Sequence, residues 1–170
     1  MSAAYPPLAI TGYWSRLNDS IIDLVDYIPD DKLSWSPAPE LFNVRGILIH
    51  LAVARTNWLE NVVKDGLFVT DGPVLSESSE PIEVRLRRLL QHGKTKGDLK
   101  DNLRWSWERV TRFVADPAKL AAEYWIEFDG VNKSGHWVAF HLLEHDVHHR
   151  ADLFQYLHIL GIEHPDVGTP

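Results

Sequence analysis

Five histidines fall within fourteen residues near the end of the chain, between His136 and His149. Three of them, His141, His145 and His149, are spaced four apart. A helix advances about 100° per residue, so a step of four keeps successive side chains on one stripe of its surface. Imidazole is the commonest metal ligand among side chains. Two such rings one turn apart can coordinate one ion, and the spacing therefore predicts part of a metal site.

A third ligand must come from elsewhere in the chain, and His50 is the candidate. It stands on the apolar face of an earlier helical pattern, beside Ile47, Leu51 and Ala54. A lone histidine on such a face is ordinarily a core residue. Its combination with a four-spaced pair on another helix is more specific, because helix packing alone can bring the rings together. Three histidines leave a further position open for water or substrate, the arrangement of catalytic zinc sites.

The histidine stripe offers two candidate pairs, His141 with His145 and His145 with His149. The second pair is favoured because Asp146 and Asp152 flank it, and a carboxylate near a ligating imidazole can fix its tautomer. His141 is then expected at the mouth of the pocket, as a proton carrier or substrate contact, or else as a partly buried helix residue. The remaining histidines are predicted to be structural, surface or interface residues: His92, His136, His148, His158 and His164.

The sequence disfavours two other kinds of helical metal site. The five residues from His145 to His149 have the form of the H-E-x-x-H metalloprotease helix, with Asp146 in place of glutamate. Aspartate is one methylene shorter, and no third ligand follows at the familiar spacing. A di-iron carboxylate bundle requires Glu-x-x-His on two helices, and no glutamate of this chain has a histidine three residues later.

Composition narrows the class of protein. The 170 residues, 45% of them hydrophobic, are expected to form a single domain, 1–170. The net charge of −7, without a basic stripe, disfavours nucleic acid and anionic membranes as partners. The chain has no cysteine, so a sulfur nucleophile would have to come from outside. With no signal peptide and no stretch near the ~20 apolar residues of a membrane span, a cytoplasmic location is expected.

Apolar periodicity predicts the elements that position these histidines. Four long helices are expected: from about Pro7 to Ile28, from an Asn43 N-cap to near Gly66, from Thr95 to Ala115, and from a Ser134 cap to Leu160, before Gly161. A short extra helix is expected over 81–92. Residues 118–133 fit a short strand and turn, or irregular backbone. The fold class is therefore all-α, a four-helix bundle with a long crossover connection over 67–94.

Two segments resemble those of DinB-like proteins. The residues from Phe140 to Arg150, followed by Tyr156 to Gly161, resemble the last helix of that family, and Asn43 to Ala52 resembles its second-helix segment with a histidine. The resemblance extends over nearly the whole chain. It implies a four-helix bundle, frequently homodimeric. Where the family shows Gly-Gln or Gly-Glu after the arginine, this chain has Ala151-Asp152.

The same resemblance implies a divalent metal, zinc or nickel, bound through His50, His145 and His149. It also implies activities of a broad kind, including thiol-dependent isomerisation and metal-dependent transfer of low-molecular-weight thiols to electrophiles. The leading expectation is a thiol S-transferase acting on a small-molecule substrate. The further candidate catalytic residues are His141 and Asp146, either of which could carry the proton if the reaction is hydrolysis. The supporting or pocket residues are Asp152, Trp58 and Arg150. The alternatives are a hydrolase that uses metal-bound hydroxide, a non-catalytic metal or ligand binder, and histidines that only pack.

Overall fold

The computed structural model of the chain describes residues 10–63, 93–126 and 129–165. In chain order its helices are α1 (Ile10–Tyr27), α2 (Val44–Asn57), α3 (Lys96–Val114), α4 (Pro117–Ala121) and α5 (Gly135–Ile159). A 3-10 turn covers Asp30–Lys32, and a π-helical turn, Trp58–Val62, prolongs α2. Two strands, β1 (Glu123–Ile126) and β2 (Val131–Ser134), pair as an antiparallel hairpin. The predicted all-α class is confirmed.

The four long helices pack around one hydrophobic core. Helix α1 packs against α3 and α5, and α2 packs against the same two helices, so α1 and α2 occupy opposite corners of the bundle. The apolar faces predicted from periodicity are the buried ones: Trp14, Leu17, Ile21, Leu24 and Val25 on α1, and Val44, Ile47, Leu48 and Leu51 on α2. The contact between α2 and α5 places the segment that carries His50 beside the one that carries the histidine stripe.

The helix boundaries follow from local chemistry that the sequence displays. The Asn43 side chain accepts a hydrogen bond from the Gly46 amide at 2.7 Å and caps α2. Thr95 opens α3 with a reciprocal capping box, and the Ser134 hydroxyl accepts from the Trp137 amide at 3.2 Å at the start of α5. Just beyond α5, Gly161 adopts a φ of 66°, the left-handed conformation that ends many helices. The predicted caps are confirmed.

The ambiguous stretch 118–133 resolves into a short helix and the hairpin. Asp116 caps α4 through the amides of Ala118 and Lys119, and Pro117 occupies its first position. Gly135, at the start of α5, lies so close to the α4 backbone that a Cβ would stand 2.1 Å from the Lys119 carbonyl oxygen. This contact fixes where α5 leaves the hairpin.

Some of the sequence-based expectations fall outside the described residues. These are the helix over 81–92, most of the 67–94 connection, the Pro7 start of the first helix and the Gly66 end of the second. The helices that the 67–94 connection joins, α2 and α3, pack directly against each other. No helix within the described ranges combines the length and the apolar character that a membrane span requires.

Candidate metal centre

Three histidines from two helices converge at the contact between α2 and α5. The Nε2 atoms of His50 and His145, 95 positions apart in the chain, are separated by 3.0 Å. The ring centroid of His149 lies 4.9 Å from that of His50 and 4.5 Å from that of His145. One ring nitrogen from each residue lies within 4.8 Å of the others. The predicted third ligand therefore meets the predicted pair.

The distances are compatible with a shared cation. Zinc binds histidine nitrogen at about 2.0–2.1 Å, so two nitrogens on one ion stand about 2.8–3.4 Å apart for bond angles between 90° and tetrahedral. The 3.0 Å separation of the His50 and His145 Nε2 atoms falls within that range. These three rings could therefore hold a divalent cation.

Burial keeps all three rings in the form that binds metal. It lowers the pKa of His145 to about 3, with smaller contributions from the neighbouring His149 and His50. The pKa of His50 is lowered by burial and by His149, and that of His149 is lowered because burial outweighs the opposing effect of Asp152. All three imidazoles are consequently neutral at pH 7. A neutral ring retains the lone pair that a metal ion requires.

Asp152 orients one of the three rings. The Nδ1–H of His149 donates a hydrogen bond to Asp152 Oδ2 at 3.0 Å, which leaves the Nε2 lone pair of this residue for the cluster. This is the contact expected from the sequence for a carboxylate beside the ligand pair. Within the described part of the chain, the buried Nδ1 of His145 has no hydrogen-bond partner. The carboxylate thus anchors His149 specifically.

Asp146 lies between the two candidate ligands of α5 in sequence but faces the interior of the bundle. Its side chain is fully buried, and its carboxylate accepts from Arg55 Nη2 at 2.8 Å, from Arg55 Nε at 3.1 Å and from Trp14 Nε1 at 2.6 Å. A proton carrier needs contact with solvent or substrate, and this carboxylate is sealed in an ion pair. The expected catalytic role of Asp146 therefore does not agree with its position.

Arg55 is a site-related residue that the sequence reasoning missed. Its side chain is fully buried and forms the ion pair with Asp146. A signal was present, because Arg55 lies four residues after Leu51 on the apolar face of α2. A charged residue at a core position of a helix calls for a buried partner of opposite charge.

His141 occupies an aromatic stack beside the three rings. It lies one helical turn before His145, with its ring centroid 4.6 Å from that of Trp58 and 5.2 Å from that of Trp137. The planes of His141 and Trp137 differ by only 6°. The structure thus brings His141 and Trp58 into contact and adds Trp137, which the sequence reasoning did not single out. Trp58 is itself buried in the core.

A second aromatic surface adjoins the other end of the cluster. The ring of Phe42 stacks on His50 with 5.0 Å between centroids and is 53% exposed. The hydroxyl of Tyr156 donates to the Phe42 carbonyl oxygen at 3.0 Å, so the backbone that carries this ring is anchored to α5. The three histidines are therefore flanked by aromatic side chains at both ends.

Two other residues of the stripe region lie apart from the cluster. The side chain of His148 is 70% exposed, with its Nε2 at 3.5 Å from Asp152 Oδ2, in agreement with the expected surface position. Arg150 lines a groove of about 850 Å³ together with Phe154, His158 and Ile162. None of the three convergent histidines lines that groove. The structure therefore does not bring Arg150 into the candidate metal centre.

These features define a class: helical bundles with a candidate three-histidine metal centre between two of their long helices. The sequence model of the DinB family matches residues 1–170, and the chain belongs to the DinB family.

Solved structures of DinB-like proteins are similar to this chain. One, from Bacillus cereus ATCC 10987, has 17% sequence identity and a TM-score of 0.65, with 92% of this chain and 94% of that chain covered. Another, YjoA from Bacillus subtilis, has 18% identity and a TM-score of 0.51, covering 94% and 95%. At such identities the likeness shows a shared fold. No curated protein matches the chain.

Proposed function

We propose that this protein is a metal-dependent enzyme that conjugates a low-molecular-weight thiol to an electrophilic small molecule. The observation that carries the proposal is the convergence of His50, His145 and His149 as three neutral imidazoles. Zinc or nickel is the proposed cation, since both accept imidazole ligands. Three protein ligands leave room for one more, as catalytic zinc sites do. Membership of the DinB family supports the same assignment.

The roles of the residues follow from their positions. His50, His145 and His149 would hold the cation, and Asp152 would keep His149 in the correct tautomer. A divalent cation held by these residues would supply the positive charge that lowers the pKa of the thiol. The sulfur lone pair forms the new S–C bond, and the leaving group departs with its bonding electrons. His141, which lies one helical turn before His145, would accept the thiol proton and pass it to solvent.

Two further features support a thiol supplied from outside. The chain contains no cysteine, so no side chain of its own can provide the sulfur nucleophile. The exposed ring of Phe42 and the partly buried ring of Trp137 lie near the cluster and suit the apolar part of an electrophile.

The experiment uses protein purified without a histidine tag and loaded with zinc or nickel. Conjugation of glutathione or cysteine to monobromobimane is followed by fluorescence for wild type, His149→Ala and His148→Ala. The last variant is the matched control, because it removes the neighbouring exposed imidazole. We expect metal at one equivalent and thiol conjugation in wild type and His148→Ala, and loss of both in His149→Ala. Equal conjugation rates in all three proteins would refute the proposal.

Hydrolysis by a metal-activated water is the main rival. His141 could carry the proton in this reaction as well, since the other expected carrier, Asp146, is sealed in a buried ion pair. Ester, amide and lactone substrates assayed with and without thiol separate the two reactions, since only hydrolysis proceeds without thiol. Metal binding without either reaction would indicate a binding protein. A homodimeric state and a cytoplasmic location stay predictions from the sequence.

A further inference from the structure

A cluster of buried polar groups ties together all four long helices next to the candidate metal centre. Arg55 of α2 lies at its middle. Its guanidinium donates to Asp146 of α5, to Asn18 Oδ1 of α1 at 3.0 Å, and to the Leu103 carbonyl oxygen and Ser106 Oγ of α3, both at 3.4 Å. Trp14 of α1 completes the set through its bond to Asp146. We call these side chains, Trp14, Asn18, Arg55, Ser106 and Asp146, the buried polar cluster.

Stability alone is a poor reason for this cluster. Arg55 and Asp146 are both fully buried. In many proteins, well-packed apolar residues in place of such a buried ion pair leave the fold equally or more stable, because the two charges must be removed from water. Hydrogen bonds differ from apolar contacts in being directional. The fork of Arg55 meets Asp146 through two nitrogens, Nε and Nη2, and such a bidentate pair tolerates little displacement. The cluster therefore specifies a relative position of the helices.

The helices fixed in this way are the two that carry the histidines. Arg55 follows His50 by five residues on α2, and Asp146 lies directly after His145 and three residues before His149 on α5. A slip of one residue along either helix displaces its side chains by about 1.5 Å. That shift would break the 2.8 Å ion pair and separate the Nε2 atoms of His50 and His145, now 3.0 Å apart.

We infer that Arg55 and Asp146 are positioning residues, which hold α2 and α5 in the register at which His50, His145 and His149 converge. The ligand set is then preformed by the ion pair rather than assembled by the cation. The inference rests on the proposed metal centre. It assigns to Asp146 a geometric role in metal binding in place of a role in proton transfer.

The test measures zinc affinity in the wild-type protein and in three folded variants. Asp146→Asn removes the charge of the acceptor, and Arg55→Lys keeps a positive charge but loses the planar fork. Leu24→Ala is the matched control, because it opens the core of α1 at a buried residue outside the cluster. Zinc dissociation constants are measured by competition with a chromophoric chelator, under conditions where circular dichroism shows each protein folded. Visible spectra of the cobalt-substituted proteins report the coordination geometry.

We expect zinc binding to weaken roughly tenfold or more in Asp146→Asn and Arg55→Lys, the scale seen when groups supporting metal ligands are lost. Their cobalt spectra should change, whereas Leu24→Ala should keep the affinity and spectrum of wild type. If folded Asp146→Asn and Arg55→Lys bind zinc as tightly as wild type, the positioning role is overturned and the proposed metal centre stands. An equal loss in Leu24→Ala would also overturn the positioning role, since the effect would then follow stability.

Two further outcomes of this experiment also test the inference. If Asp146→Asn does not fold, Asn18→Ala takes its place, because it removes only one acceptor of Arg55. We then expect weaker zinc binding in Asn18→Ala and Arg55→Lys than in Leu24→Ala, and equal affinities would contradict the inference. Wild-type protein that binds no stoichiometric zinc would refute the metal centre itself, and the positioning role with it.

Discussion

The hydrogen bond between His149 and Asp152 is the contact through which the candidate metal centre can be tested most directly. Asp152→Asn exchanges the carboxylate for a neutral amide of nearly the same shape. The bond from His149 Nδ1 to Asp152 Oδ2 is 3.0 Å long, and the Asp152 side chain is 32% exposed. A hydrogen bond to a charged group contributes roughly 1.5–3 kcal/mol. Partial exposure places this one near the lower figure, which corresponds to about tenfold in affinity.

The assay is competition for zinc against a chromophoric chelator at pH 7. Asp152 raises the pKa of His149, but burial holds that pKa below its usual value. Replacement of Asp152 lowers it further, so His149 is neutral in both proteins and proton competition does not enter. We therefore expect the weaker binding to come from the lost orientation and basicity of the His149 ring.

The matched control is Asp101→Asn. It changes the net charge by the same one unit, and the residue it replaces is 58% exposed and forms a surface ion pair with Arg104 at 3.3 Å. We expect wild-type zinc affinity in this variant. Zinc binding by Asp152→Asn as tight as that by Asp101→Asn would refute the reasoning. An equal loss in both variants would show that net charge, rather than the hydrogen bond, governs affinity.

Three further predictions concern the fold. The pKa of histidine in the unfolded chain is about 6.5, whereas the pKa of buried His145 is about 3. As the pH falls, the unfolded state therefore takes up a proton before the folded state does. Urea titrations of the metal-free protein should show the free energy of unfolding falling from pH 6.5 towards 3, by at most about 1.4 kcal/mol per pH unit for this residue. Trp14→Phe removes the 2.6 Å hydrogen bond to buried Asp146 and should cost roughly 1.5–3 kcal/mol in urea unfolding, against almost none for exposed Trp125→Phe. Gly135→Ala would place a Cβ 2.1 Å from an α4 carbonyl oxygen and should lower the melting temperature, with a cost of roughly 1–3 kcal/mol or more.

The sequence by itself determined the helices and most of their boundaries. Apolar periodicity and caps are local, since a capping side chain bonds to amides two or three residues away. Asn43 and Ser134 therefore cap their helices in the structure as predicted, and Thr95, the predicted start of the third helix, is its N-cap. The spacing of His145 and His149 likewise implied a shared helix face, because helical geometry requires no knowledge of the partner helix.

Only the tertiary structure decided which groups meet across helices. A rotation of about 100° separates Asp146 from His145, so adjacent residues face different surroundings, the bundle interior and the candidate metal centre. The sequence placed Asp146 next to two ligands and suggested proton transfer, whereas packing paired it with Arg55 of α2. Contacts between residues about 90 positions apart depend on which helices are neighbours and in what register. Local patterns carry no measure of that register, and the packed core and the buried ion pair supply it.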